Sequence, residues 1–181
     1  MKVYFSHGKE SGPWGSKITL LAELAKAQGY AVESIDYRGI DDPDLRVARL
    51  VEVLNKEAGK VLLVGSSMGG YAALVAGQLL AAEKLAQENA ASAPLEIAGI
   101  FILAPALYMP GYQVQEYAIH NIPTAVVHGW ADEIIPVTHA IRFAQKQHCS
   151  LHLIPGDHRL NSSMHIVAPL FNQFIHSVVD D

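Results

Sequence analysis

The sequence predicts an α/β fold: one domain of about six mostly parallel strands with helices on both faces. Two observations carry this. Short apolar runs alternate with longer amphipathic stretches along the chain, the pattern of a parallel sheet covered by helices. Several of those runs, Lys60–Val64 and Ile97–Leu103 among them, are continuous rather than alternating, as strands buried on both faces must be. At 181 residues the chain fits a single domain over 1–181, and a domain of this size buries about 70% of the surface its unfolded chain exposes.

The elements follow in order. Lys2–Ser6 reads as the first strand. Ser16–Gln28 is a helix with Ile18, Leu20, Leu21, Leu24 and Ala25 on one face and Gly29 as its stop. Ala31–Asp36 is the second strand, running into the turn-rich Tyr37–Pro43. A helix over Pro43–Glu57 carries Leu45, Val47, Leu50, Val51 and Leu54 on its apolar side. The strand Lys60–Val64 leads to an Ala-rich helix from Met68 to about Gln87. Glu88–Pro94 is Ala, Ser and Asn, read as a fraying helix end and linker. Ile97–Leu103, Thr124–His128 and Ser150–Ile154 are the remaining strands, with helices at Val137–Lys146 and Ser162–Val179.

Composition narrows the partners. A net charge of −5, without a Lys/Arg cluster, lacks the basic stripe that nucleic acid or an anionic membrane surface requires. Cys149 is the single cysteine, so no intrachain disulfide can form. The apolar residues before His7-Gly8 are too few for a signal-peptide core, and no apolar run nears the roughly 20 residues that span a bilayer. The expected setting is cytoplasmic, and the expected partner a small molecule. Oligomeric state is not readable.

In open parallel sheets, ligands bind beyond the carboxyl ends of the strands, so chemical residues are sought there. Gly65-Ser66-Ser67-Met68-Gly69-Gly70 contains Gly-x-Ser-x-Gly between a strand and a helix, the setting of a nucleophile elbow. Small residues are needed two positions either side of the serine, and Gly65 and Gly69 supply them. Ser66 lacks that symmetry. A serine hydroxyl needs a base oriented by a carboxylate, and in the fold that carries a nucleophile elbow the order is Ser, Asp or Glu, His. Asp132 follows the strand Thr124–His128, and His158 follows Ser150–Ile154. Glu133 is the nearest competitor for the carboxylate, while Asp157 reads as a turn former.

The oxyanion donors expected are the backbone N–H groups of Met68, after the serine, and of Lys9, in the loop after the first strand. In that loop His7-Gly8 sets the turn, and both residues are candidates for contact with substrate. The loop fits neither Gly-x-x-x-x-Gly-Lys-Ser/Thr nor Gly-x-Gly-x-x-Gly, so a nucleotide is not expected. The nine histidines show no metal-ligand spacing, so neither metal nor other cofactor is expected. His128 is placed at a strand end beneath the Asp132 loop.

Ser6-His7-Gly8, Asp36-Tyr37-Arg38-Gly39, Gly65–Gly70, His128-Gly129 with Asp132, and Gly156-Asp157-His158 together resemble the ordered motifs of the α/β-hydrolase superfamily. The chain is similar in particular to its small bacterial esterases. Gly15-Ser16-Lys17 and Asp157-His158-Arg159-Leu160 also resemble its acyl-protein thioesterase-like members. The resemblance runs from Val3 to the last helix and leaves the subfamily open. It implies a single-domain α/β-hydrolase fold and a serine esterase or thioesterase working without a cofactor. Two departures from larger members are expected: no antiparallel edge strands before the first strand, and a minimal cap. The cap is a short partial lid over about 105–122, whose Tyr108, Met109 and Tyr112 are candidates to line an acyl pocket or to cover the core. Two other readings stay open: an acyltransferase or perhydrolase using the same three residues, and a binding module that keeps the fold without turnover.

Overall fold

The computed structural model describes residues 1–86, 95–119 and 121–179. The linker read at Glu88–Pro94, the helix end at Gln87 and His120 lie outside the described residues. The strands are β1 (Lys2–Ser6), β2 (Ala31–Ile35), β3 (Gly59–Ser66), β4 (Leu95–Leu103), β5 (Thr124–Gly129) and β6 (Ser150–Ile154). The helices are α1 (Ser16–Ala27), α2 (Pro43–Leu54), α3 (Met68–Ala86), α4 (Val137–Gln147) and α5 (Met164–Val179), the last preceded by a 3-10 turn at Asn161–Ser163. The six strands form one sheet in the order β2-β1-β3-β4-β5-β6, and every pairing is parallel. The expectation of a mostly parallel sheet therefore becomes a wholly parallel one among the described residues.

Local chemistry explains the element ends. Asp42 caps α2, its side chain accepting from the N–H groups of Asp44 at 2.8 Å and Leu45 at 3.0 Å, and Pro43 occupies the first helical turn. The predicted start of α5 at Ser162 shifts to Met164, because Asn161–Ser163 take the tighter 3-10 geometry. Between β3 and β4 the register slips by one residue: Val61 opposes Ile97 and Leu62 opposes Gly99.

The sheet divides the core in two. On one face Leu50 and Leu54 of α2, Tyr71 and Leu74 of α3 and Phe143 of α4 pack against Tyr4, Leu63 and Ile100. On the other, Leu21 and Ala25 of α1 and Val167, Phe171 and Ile175 of α5 pack against Phe5, Leu62 and Phe101. The register sets Ser6 opposite Gly65, Ser66 opposite Leu103, and Gly129 opposite Ile154. The carboxyl ends of β1, β3, β4, β5 and β6 thus share one edge, and the loops leaving them can meet.

Arg46 anchors the β1 end of that edge. Its guanidinium is buried, donating to the carbonyls of His7 at 3.0 Å and Ile40 at 2.7 Å and lying 5.2 Å from the Tyr37 ring centre. Replacing it would strand two carbonyls, each costing about 1–3 kcal/mol when left unpaired. Arg46→Met is therefore expected to lower unfolding free energy by roughly 2–4 kcal/mol, read from urea denaturation. A loss under about 0.5 kcal/mol, as at an ordinary surface position, would contradict this anchoring.

Candidate active site

Ser67 stands in the turn between β3 and α3 with φ of 55°, in the left-handed region that costs a non-glycine residue of order 1–3 kcal/mol. Hydrogen bonds hold it there. Its N–H donates to Leu103 O at 2.9 Å, and its carbonyl accepts from Gly70, Tyr71 and Ala106. The flanking glycines are sterically required. A Cβ on Gly65 would fall on the Gly69 backbone, and one on Gly69 would fall on the carbonyls of Ser6 and His7.

The structure brings Ser67, His158 and Asp132 together from three strand ends. His158 Nε2 lies 3.0 Å from Ser67 Oγ, and its Nδ1 lies 2.9 Å from Asp132 Oδ2. With Nδ1–H donating to the carboxylate, Nε2 is free to accept the serine proton. The Asp132 side chain is fully buried while that of His158 is 19% exposed. Each oxygen of the carboxylate has a donor. Oδ1 accepts from the N–H groups of Ile134 at 2.9 Å and Ile135 at 2.8 Å, and Oδ2 is shared between His158 and His128 Nε2 at 3.0 Å. Glu133 lines the cavity beside this loop, but Asp132 is the residue that meets His158.

His128 does more than end β5. It is fully buried, and Nε2 faces two acceptors, Asp132 Oδ2 at 3.0 Å and Ile135 O at 3.1 Å. The proton therefore sits on Nε2, and Nδ1 is buried without a partner among the described residues. Burial holds the pKa of this ring below the ordinary histidine value, keeping it neutral.

A cavity of about 820 Å³ opens over Ser67 and His158. Gly8, Lys9 and Met68 line it, and a Cβ on Gly8 would stand 3.5 Å from Ser67 Cβ, so the loop after β1 lies against the serine. Met109 and Tyr112 line it as well. His7 and Tyr108, expected to contact substrate, do not. His7 is 1% exposed, its Nε2 accepting from Tyr37 N–H at 2.9 Å and its Nδ1–H donating to Gly8 O at 2.7 Å. With both nitrogens engaged, it shapes the loop instead. Tyr108 is packed away against α4, with the Arg142 guanidinium 4.0 Å from its ring centre and Tyr117 edge-on at 5.2 Å.

The 105–122 segment is correspondingly divided. Leu107, Tyr108 and Tyr117 are buried, while Met109 and Tyr112 face the cavity. The segment is also tied down. Gln113 N–H donates to Asp44 Oδ2 at 3.1 Å, Val114 N–H to Tyr71 OH at 3.2 Å, and Ala118 N–H to Gln78 Oε1 at 2.8 Å. Asp157 is a turn former, accepting from Arg159 and Leu160 N–H, both at 3.0 Å. Lys17 also lines the cavity from the start of α1; in the sequence it stands only within Gly15-Ser16-Lys17, where a lysine opening an amphipathic helix reads as solvated. Among the described residues no group of three His, Cys, Asp or Glu is placed to hold a metal ion, and no helix is long and apolar enough to cross a membrane.

Comparison with known proteins agrees with this architecture. Residues 3–158 match the model of the alpha/beta hydrolase family. A search of curated proteins found no match. Among solved structures, the chain is similar to a Xanthomonas campestris protein assigned to the alpha/beta superfamily of hydrolases, with 29% identity and a TM-score of 0.82, covering 97% of this chain and 98% of that one. It shares its fold with Est1E from Butyrivibrio proteoclasticus, at 16% identity and a TM-score of 0.77 over 99% and 88% of the two chains. The ydeN gene product of Bacillus subtilis also has this fold, at 17% identity and a TM-score of 0.70 over 97% and 98%.

The two buried neutral histidines link folding to pH. His7 and His128 are both held below the ordinary value, chiefly by burial. The unfolded chain therefore binds protons at about pH 6.5 that the fold does not. Stability is present above that pH and is lost as pH falls through it. Urea midpoints are expected to drop between about pH 7.5 and 5.5. His128→Gln, which keeps a donor toward Asp132 but does not titrate, is expected to flatten that drop. An unchanged slope in the variant would contradict a buried neutral His128.

Proposed function

The chain belongs to the alpha/beta hydrolase family, and on that premise we propose that it is a serine hydrolase cleaving a carboxylic ester or thioester. What supports the reading is the hydrogen-bonded chain Ser67–His158–Asp132, with contacts of 3.0 and 2.9 Å. Ser67 Oγ attacks the carbonyl carbon as its proton passes to His158 Nε2. Asp132 keeps the imidazole in the tautomer that accepts this proton and stabilises the imidazolium that forms. The N–H groups of Met68 and Lys9 receive the oxyanion at the mouth of the β1 and β3 loops, where fixed donors are worth more than in water. His158 then returns the proton to the departing alcohol or thiol, leaving an acyl-Ser67. Water, deprotonated by His158, attacks that acyl group, and the acid leaves as Ser67 regains its proton.

The substrate is a small molecule whose acyl part lies along Met109 and Tyr112, and the steps above draw on Ser67, His158, Asp132, the two backbone N–H groups and water. A cytoplasmic setting fits a chain whose single cysteine, Cys149, is a partly buried free thiol.

Hydrolysis of 4-nitrophenyl butyrate tests the reading. Ser67→Ala is expected to lower kcat/KM by about 10⁴-fold or more, the scale seen when a nucleophile acting with its base is removed. Undiminished hydrolysis by Ser67→Ala would contradict these roles.

A further inference from the structure

The cavity over Ser67 has two unlike ends, set by the two faces of the sheet. Over the α2–α4 face its wall is apolar, formed by Ala106, Met109 and Tyr112, with Tyr112 packed edge-on against Tyr71 of α3 at 4.7 Å. Toward α1 and the His158 loop it is mainly polar, with Ser16, Lys17, Arg159 and Asn161 beside the carboxylates of Glu10 and Asp157 and the apolar Ile18.

Lys17 is the unusual member. It is partly buried, and among the described residues its interactions with charged groups are at a distance, with no hydrogen-bonded partner. The acids that act on it, Asp157 and Asp132, do so through charge and not through a hydrogen bond. Asp132 is buried with both oxygens bonded, and Asp157 holds the N–H groups of Arg159 and Leu160. Arg159 reaches toward Glu10 at 3.6 Å. Desolvation pulls the Lys17 ammonium down to about 8, against the opposing pull of Asp157 and Asp132 and with a small push from Arg159. A cation in such a place is costly until an anion joins it.

Resting on the hydrolase reading above, we propose that Lys17 is the specificity-determining residue of this site, binding a carboxylate or phosphate on the leaving group of a substrate whose acyl part is apolar. The orientation follows from proton transfer. The departing oxygen or sulfur must meet His158, which shares its loop with Asp157 and Arg159 beside Lys17, while the acyl part faces Met109 and Tyr112.

The test compares three chromogenic esters: 4-nitrophenyl butyrate, 3-carboxy-4-nitrophenyl butyrate, and mono-4-nitrophenyl adipate, which carries its carboxylate on the acyl part. In Lys17→Met the kcat/KM ratio of 3-carboxy-4-nitrophenyl butyrate to 4-nitrophenyl butyrate is expected to fall about tenfold or more from native, the value of one charge-assisted hydrogen bond. Lys17→Arg is expected to retain part of it, and the native ratio to decline as pH rises through about 8. Equal ratios in native and Lys17→Met overturn the proposal, and a loss confined to the adipate ester overturns its orientation. Turnover of none of the esters would defeat the hydrolase reading instead. Calorimetry with 3-carboxy-4-nitrophenol then decides the anion site: binding lost in Lys17→Met upholds it, and equal binding overturns it.

Discussion

At Gly69 the first turn of α3 runs against the carbonyl groups of Ser6 and His7, with no space between for a Cβ. Three things depend on that approach. It fixes where α3 begins, and so forces Ser67 into a left-handed conformation that its hydrogen bonds to β4 and to the Ala106 segment then hold. It brings the loop after β1 against the serine, so that Gly8, Lys9 and Met68 share one cavity wall. It also places the burden of holding β1's end on the far side of the same carbonyls, where Arg46 bonds His7 O and the neutral His7 ring ties Gly8 O to Tyr37 N–H. Strain at the serine and order in the neighbouring loop are thus two consequences of one contact.

The other half of the site is electrostatic. A carboxylate with no exposed surface is tolerable only when it is hydrogen-bonded, and Asp132 accepts from two backbone N–H groups and the His158 imidazole, with the His128 imidazole 3.0 Å from Oδ2. One imidazole, His158, continues to Ser67. The other, His128, ends in an Nδ1 without a partner among the described residues. The result is an imidazole whose tautomer and direction are set by the fold itself.

Much of this was legible in the sequence. The alternation of apolar runs with amphipathic stretches gave the element order, and the continuous runs at Lys60–Val64 and Ile97–Leu103 gave a sheet covered on both faces. The positions of Ser67, Asp132 and His158 just after strands were readable too, because a parallel sheet puts all carboxyl ends on one edge. What sequence could not give was direction. His7 and Tyr108 lie in the expected loops but point into packing, since spacing fixes a residue's place in the chain and not which way a loop turns its side chain. Lys17 and Arg46 sit in ordinary amphipathic helices, where a cation reads as solvated until the neighbouring loops are in place. The 105–122 segment has no periodicity of its own. Its course is set by side chains from elsewhere, Asp44, Tyr71 and Gln78 among them.

In the proposed function the chemistry rests on one serine, made nucleophilic by one imidazole. Labelling the folded protein with a fluorophosphonate and mapping the modified peptide tests that most directly. A single adduct on Ser67, lost in His158→Ala, is the predicted result. No adduct on folded protein, or one on a different residue, would contradict it.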